Sequence, residues 1–235
     1  MKAVVLAGGK GTRLAPYTKI LPKPLMPIGD MPILEILLRQ MKRSGVDEVV
    51  LTVGHLAGLL RSFFGDGRPW GLQISYSYER EPLGTAGPIA LVEGLDETFL
   101  VANGDVLTTL DLRNLIKFHQ EQGGIATLAV HQRSVRIDFG VVKSENNIVR
   151  DYIEKPTDDY LVSMGLYVFE PRILQYIPRD QYLDFPDLIL KLIAAGEKVV
   201  GFPFEGYWKD LGRIDDYEEA AQNFEKMRDQ FLVEE

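Results

Sequence analysis

The chain of 235 residues predicts an α/β fold, a mostly parallel mixed sheet flanked by helices. Three observations carry this. Short apolar runs rich in valine recur along the first half, and amphipathic helical stretches separate them up to about residue 130, the alternation that builds a parallel sheet covered on both faces. The stretch that follows is strand-rich with little helix, which predicts a smaller mixed β lobe. No linker, repeat or low-complexity segment interrupts the chain, so a single domain spanning 1–235 is expected.

The elements follow in order. Lys2 to Ala7 is a short apolar run bounded by glycines and predicts a buried central strand. A proline-punctuated loop runs from Pro16 to Gly29. Asp30 is a good N-cap for a helix to Ser44, with Ile33, Leu34, Leu37, Leu38 and Met41 on one face and Gly45 as its stop. Glu48 to Val53 predicts a second buried strand, Leu56 to Phe64 a short helix, and the alternating Leu72 to Tyr78 a strand. Thr85 to Glu93 predicts a helix that accepts Pro88 in its first turn. Thr98 to Ala102 is a strand, Leu112 to Gln122 a helix and Ile125 to His131 a strand. Phe139 to Lys143, Ile148 to Ile153 and Val162 to Phe169 are strands, the first two joined by a hairpin turn at Asn146-Asn147. A helix over 184–195, a strand over 199–203 and a helix over 215–231 complete the chain.

Composition narrows the function. A net charge of −8 argues against nucleic acid and anionic membrane as partners. With no cysteine there is no disulfide framework, thiol nucleophile or cysteine metal site. The apolar run at the N-terminus is too short for a signal peptide, and no run approaches the ~18 residues of a membrane span, so a cytoplasmic protein is expected. Exposed and interface faces look alike in one sequence, which leaves a homo-oligomer open.

Against this acidic background, the first 29 residues carry Lys2, Lys10, Arg13, Lys19 and Lys23 and no acidic residue. Leu6 ends the first strand, and Gly8, Gly9, Lys10, Gly11, Thr12 and Arg13 follow. Glycines after a strand let backbone N–H groups approach phosphate, and the cations neutralise it. The spacing is neither that of a P-loop nor that of the dinucleotide fingerprint. A glycine-rich turn is often only a turn, and Lys23 taken alone is an exposed loop lysine. Pro22 and Pro24, however, stiffen the backbone on either side of Lys23.

Gly8-Gly-Lys-Gly-Thr-Arg13-Leu, together with Pro22-Lys-Pro-Leu25, resembles the signature of the sugar-1-phosphate nucleotidylyltransferases, and the resemblance extends to Trp208-Lys-Asp210-Leu-Gly212. It implies a Rossmann-like sheet of the nucleotide-diphospho-sugar transferase type with a smaller mixed β sugar-binding lobe. It also implies condensation of a nucleoside triphosphate with a sugar 1-phosphate and release of pyrophosphate, by direct in-line displacement assisted by Mg²⁺. The chain ends soon after Gly212, so the C-terminal β-helix of some relatives is expected to be absent.

The resemblance assigns roles residue by residue. Arg13 would hold the departing β- and γ-phosphates, and Lys23 would stabilise charge at the α-phosphate. Asp105, after Asn103-Gly104 at a strand's carboxyl end, and Asp210 would hold Mg²⁺. The bland alternatives are an Asx turn for Asp105 and a helix-start carboxylate for Asp210. Glu79, Pro82, Gly84 and Thr85 resemble the base-binding loop and most resemble that of mannose-1-phosphate guanylyltransferases. Relatives that use UTP or dTTP commonly carry Gln where this chain has Glu79. A carboxylate only accepts, matching the two donors of guanine's N1–H and N2 amine, so GTP is favoured. Glu81 is a rival for that role.

On the sugar side, Asn103, Gly104, Gly140, Glu154, Lys155 and Ser163 are the implied residues, with Lys155 pairing the 1-phosphate. Many relatives have Asn-Ala-Gly where this chain has Ser163-Met-Gly165, which leaves mannose, a heptose, glucose or another pyranose all open. A UTP- or dTTP-dependent glucose-1-phosphate enzyme is the alternative within the same chemistry. A non-catalytic nucleotide-sugar-binding regulator is the alternative outside it. His55, His119 and His131 form no metal-ligand spacing and are expected to be structural or on the surface. Trp208 either braces Asp210 or simply packs.

Overall fold

In the computed structural model, which describes residues 1–232, the chain alternates strand and helix as expected at first. β1 (Lys2–Leu6) is followed by a long loop and the two-residue strands β2 (Pro27–Ile28) and β3 (Met31–Pro32). Then come α1 (Ile33–Arg43), β4 (Glu48–Val53), α2 (Ala57–Phe64) and β5 (Gln73–Tyr78). β6 (Phe99–Asn103), β7 (Val106–Thr108), α3 (Leu112–Gln122) and β8 (Ala126–Arg136) lead into the hairpin of β9 (Val141–Glu145) and β10 (Ile148–Ile153). β11 (Thr157–Phe169), α4 (Phe185–Ala194), β12 (Val199–Phe204), β13 (Trp208–Asp210) and α5 (Ile214–Phe231) follow.

Seven strands form one sheet in the order β12-β8-β11-β6-β1-β4-β5. β1 runs parallel to β4 and β6, β4 to β5, and β8 to β12, while β11 is antiparallel to both its neighbours. Chain order therefore reverses at β1, whose two neighbours leave it in opposite directions, and a crevice opens beyond the carboxyl ends of β1 and β6. Side chains alternate across this buried sheet. Ala3 and Val5 pack with Leu34, Leu37 and Leu38 of α1, whereas Val4 faces the other way, into the cluster of Phe99, Phe169, Phe185 and Leu188. α5 closes a third cluster with Ile28, Ile36, Leu107 and Phe224.

The smaller lobe is the two-stranded sheet β9–β10, carried on the outer arms of β8 and β11. Asn146 and Asn147 both have positive φ, 48° and 65°, as a tight hairpin turn requires. The strand edges expected from the sequence shift by a few residues, because β8 and β11 continue past the sheet as this paired arm.

Two expectations are corrected. Asp30 does not cap α1: the N-cap is Pro32, and Asp30 instead pairs with Arg228 of α5 at 2.8 and 3.1 Å. Thr85 to Glu93 holds only a 3-10 turn over Gly87–Leu91. Gly84 sits at φ 78°, and the N–H groups of Ala86 and Gly87 both donate to the carbonyl of Leu183 at 2.9 and 3.0 Å, a tertiary anchor that fixes the path of this segment. β7 and β13, three residues each, have no counterpart in the sequence reading.

Candidate active site

The site is built from three segments at the carboxyl edge of the sheet. The first is the glycine loop after β1. Gly11 turns the chain at φ 59°, and a Cβ there would lie 2.9 Å from Thr18 Cγ2 and 3.4 Å from Lys23 Cβ. Thr18 Oγ1 donates to the Gly11 carbonyl at 2.8 Å and the buried Leu14 anchors the following 3-10 turn. The loop is thus clamped against its own continuation, and the only side-chain-free residue type fits at the clamp.

The second segment presents Lys23. Pro22 and Pro24 flank it, and its side chain is 10% exposed. It is no solvated loop lysine. Its Nζ contacts Asp105 Oδ2 directly and lies 3.4 Å from Asp210 Oδ1. A buried ammonium held by two carboxylates satisfies the charge rule for interiors.

The third segment explains how those two aspartates meet. Gly104 follows β6, and its N–H donates to the Leu6 carbonyl at 3.0 Å. A Cβ on Gly104 would stand 3.1 Å from that oxygen, so glycine lets the turn seat against β1. The chain then enters β7, which pairs antiparallel with β13 so that Asp210 lies opposite Val106, and Leu211 N–H donates to the Asp105 carbonyl at 3.3 Å. Trp208 Nε1 donates to the Met164 carbonyl at 2.9 Å, fixing β13 to β11. Trp208 therefore braces the strand that carries Asp210.

These segments enclose a cavity of about 260 Å³ lined by Gly9, Gly11, Thr12, Arg13, Lys23 and Asp105, with Leu6 and Gly104 at its floor. Arg13 is exposed and its guanidinium lies over Gly212, where a Cβ would come 2.9 Å from Nη2. Lys10 is exposed beside it.

Glu79 joins this group from β5. Its backbone N–H continues the sheet to Val53 at 3.1 Å. Oε2 accepts from Leu83 N–H at 3.1 Å, and Oε1 lies so close to Gly8 that a Cβ there would collide with it. Burial raises the Glu79 carboxyl above its ordinary range, and the Leu83 N–H draws it partly back. The carboxylate thus covers the start of the glycine loop. Glu81, its rival, is exposed, as is Pro82.

Gly84 and Thr85 are tied to a distant loop. A Cβ on Gly84 would stand 2.6 Å from the Leu183 carbonyl. Thr85 N–H and Oγ1 both donate to Asp184 Oδ1, at 2.9 and 3.0 Å, and Phe185 N–H donates to Thr85 Oγ1 at 2.9 Å. The pair fastens the loop to the start of α4.

The remaining sequence-predicted residues divide. Asn103 lies in the crevice against Gly165, whose φ is 74° and whose Cβ would stand 2.5 Å from Asn103 Nδ2. Ser163 donates to the Tyr167 hydroxyl at 3.0 Å. Gly140 and Glu154 belong to the β9–β10 lobe: a Cβ on Gly140 would collide with the Tyr152 hydroxyl, which donates to Glu154 Oε2 at 3.1 Å. Lys155 is exposed there at φ 47°. Among the described residues, no hydrogen bond or ion pair joins Glu154 or Lys155 to Asp105, Asp210 or Arg13.

Each histidine makes a hydrogen bond within the fold, His55 Nε2 with the Thr18 carbonyl at 3.3 Å. His119 is buried between Thr127 Oγ1 at 2.7 Å and Glu170 Oε1 at 3.0 Å, and His131 Nδ1 donates to the Phe204 carbonyl at 2.8 Å. Among the described residues no three acidic or histidine side chains gather to hold a metal, and no helix is long and apolar enough to cross a membrane.

The chain is similar to known proteins along most of its length. Residues 2–227 match the Nucleotidyl transferase family. The chain is 37% identical to a UTP–glucose-1-phosphate uridylyltransferase of Synechocystis sp., over 94% of this chain and 63% of that protein. It is 38% identical to a mannose-1-phosphate guanylyltransferase of Mycobacterium tuberculosis, over 92% of this chain and 62% of the relative. It therefore spans rather less than two thirds of the length of these relatives. The crystal structure of HddC from Yersinia pseudotuberculosis superposes with a TM-score of 0.73 at 25% identity, covering 95% of this chain and 99% of that one. The same protein has been solved in complex with GMP-PN.

Proposed function

We propose, given that the chain belongs to the Nucleotidyl transferase family, that it transfers a nucleoside monophosphate from a nucleoside triphosphate to a sugar 1-phosphate. A sugar-phosphate oxygen bonds to the α-phosphorus, the bond from that phosphorus to the β-phosphate oxygen breaks, and its electron pair leaves with pyrophosphate. The observation that carries this reading is the convergence of Lys23, Asp105 and Asp210 beside the glycine loop. No covalent enzyme intermediate is needed, because such transfers can run on positioning and charge neutralisation.

In this reading the loop N–H groups and Arg13 hold the β- and γ-phosphates, and Lys23 stabilises charge on the α-phosphate. Lys155, on the lobe, orients the sugar 1-phosphate, with Gly140 and Glu154 at the sugar hydroxyls. Mg²⁺ fits the donor set: two hard carboxylate oxygens point at one cation position, and magnesium takes its other ligands from phosphate and water. When bound, it supplies charge that lets two anionic substrates approach. Asp105 and Asp210 are the residues that would hold it.

GTP with mannose 1-phosphate is the favoured pair. Glu79 stands at the mouth of the glycine loop with an acceptor-only group, matched to guanine's two donors. The guanylyltransferase relative and the GMP-PN complex of HddC support guanine. The uridylyltransferase relative supports the second reading, UTP or dTTP with glucose 1-phosphate. Pyrophosphate release with Mg²⁺, over a grid of GTP, UTP, dTTP, CTP and ATP against mannose, glucose and heptose 1-phosphates, tests both. Turnover centred on GTP and mannose 1-phosphate is expected. No turnover with any pair would overturn the enzymatic reading.

A further inference from the structure

Arg13 lines a second cavity besides the one at the glycine loop. This cavity, of about 550 Å³, lies between the outer arm of β8 and the segment running from β13 into α5, and it shares Arg13 and Asp210 with the site above. Four cations line it, Arg13, Arg133, Lys209 and Arg213, against two carboxylates, Asp210 and Asp216.

Both carboxylates already have cations. Asp210 lies 3.4 Å from Lys23, and Asp216 lies 3.7 Å from Lys209, which also holds Glu219 at 2.7 Å. Arg13, Arg133 and Arg213 enter no ion pair among the described residues. Three guanidinium groups outside any ion pair therefore line one cavity, whose four cations outnumber its two carboxylates, in a chain of net charge −8. Like charges gathered this way repel unless an anion joins them.

The backbone fixes where these groups stand. Arg133 is held in the β8–β11 ladder opposite Tyr160, and Arg213 is the N-cap of α5, directly after the buried Gly212 on which Arg13 rests. Guanidinium groups on ordered backbone suit a phosphate-type oxyanion, which each can bind through two N–H donors.

We infer that Arg133 and Arg213, with Arg13, form a second phosphate subsite beside the transfer centre. Its ligand is a phosphate oxyanion, either the pyrophosphate that leaves or a second phosphate carried by the sugar. The inference rests on the reading of the chain as a nucleotidylyltransferase. Neither arginine belongs to the sequence motifs that suggested that reading. Their signal is spatial, since they come from distant parts of the chain.

Calorimetric titration of the full chain tests it, in magnesium-free buffer with pyrophosphate, a hexose 1-phosphate and the matching hexose 1,6-bisphosphate. Wild type is compared with Arg133→Gln, Arg213→Gln, the double variant, and Arg61→Gln, a charge-matched control on α2 that does not line the cavity. Circular dichroism confirms that each variant is folded. If the anion is pyrophosphate, its affinity falls about tenfold or more in the double variant, as loss of charge-assisted hydrogen bonds requires. If it arrives on the sugar, wild type prefers the bisphosphate over the monophosphate by a similar factor, and the double variant loses that preference. The inference is overturned if wild type binds neither pyrophosphate nor the bisphosphate, if the double variant binds both as wild type does, or if Arg61→Gln loses as much. These readouts are binding, not turnover. An inactive chain whose pyrophosphate affinity still depends on Arg133 and Arg213 would refute the enzymatic reading and keep the subsite.

Discussion

The carboxylates of Asp105 and Asp210, from opposite halves of the chain, converge on a single ammonium group. Lys23 Nζ contacts Asp105 and lies 3.4 Å from Asp210. The three-residue ladder of β7 with β13 sets this meeting by placing Asp210 opposite Val106. The arrangement gives the first two predictions.

Asp105→Asn and Asp210→Asn each keep the side-chain volume and remove one charge from the centre. Turnover in the pyrophosphate-release assay should fall by about two orders of magnitude or more, the scale of losing one preorganised electrostatic contact. The far-ultraviolet circular dichroism should be unchanged. Near-normal turnover in a folded variant would remove that aspartate from the proposed metal site.

In the proposed reading, Lys23 shares the two carboxylates with the divalent cation they would hold. Lys23→Gln leaves the two carboxylates facing each other without a positive charge between them, and opposite charge nearby favours a bound cation. Mn²⁺ affinity of the substrate-free chain, read by electron paramagnetic resonance, should rise while turnover falls. An unchanged Mn²⁺ affinity would mean that lysine and metal occupy separate positions.

Glu79→Gln tests base choice and stability together. A carboxamide can both donate and accept, matching uracil and thymine better than guanine, so the ratio of kcat/KM for GTP over UTP should fall. Burial raises the Glu79 carboxyl, so the native state holds its proton more tightly than the unfolded chain does. Stability is then lost as pH rises from the ordinary carboxyl value of 4.5 through the raised folded one. The glutamine variant, which does not titrate, should be more stable than wild type at neutral pH, and the difference should vanish below about pH 4. Denaturant unfolding of both proteins across pH 3.5–7.5 would measure this, and a constant difference would contradict it.

Gly165 combines a φ of 74° with a Cβ position 2.5 Å from Asn103 Nδ2. Gly165→Ala should cost about 1–2 kcal/mol from backbone handedness alone, lowering Tm by roughly 2–8 °C in a chain of this size. It should also push Asn103 out of place. A thermal melt checks the first effect. The KM for the sugar 1-phosphate, expected to rise, checks the second.

The sequence by itself determined the local elements and the outline of the site. Valine-rich runs between amphipathic stretches are sufficient for β1, β4, α1 and α3, because burial on one or both faces writes its own period into the chain. The glycine loop, the prolines around Lys23 and the position of Asp105 at a strand's end were legible for the same reason: each depends on neighbours within a few residues. The failures arose where a distant partner overrode a local preference. Asp30 has the chemistry of an N-cap but is held by Arg228, and the segment expected as a helix over Thr85 to Glu93 is anchored to Leu183 and forms only a 3-10 turn.

Tertiary structure alone decided what pairs with what. β7 and β13 are too short to carry a period, yet their register brings the two aspartates together. Nothing near Lys23 in the chain reveals that its ammonium is buried between them, nor that Glu79 lies over Gly8, nor that Arg133 and Arg213 line one cavity. Pairing across such separations is set by how the whole sheet closes its core. That balance of burial against loop-closure entropy leaves no mark on any single stretch of sequence.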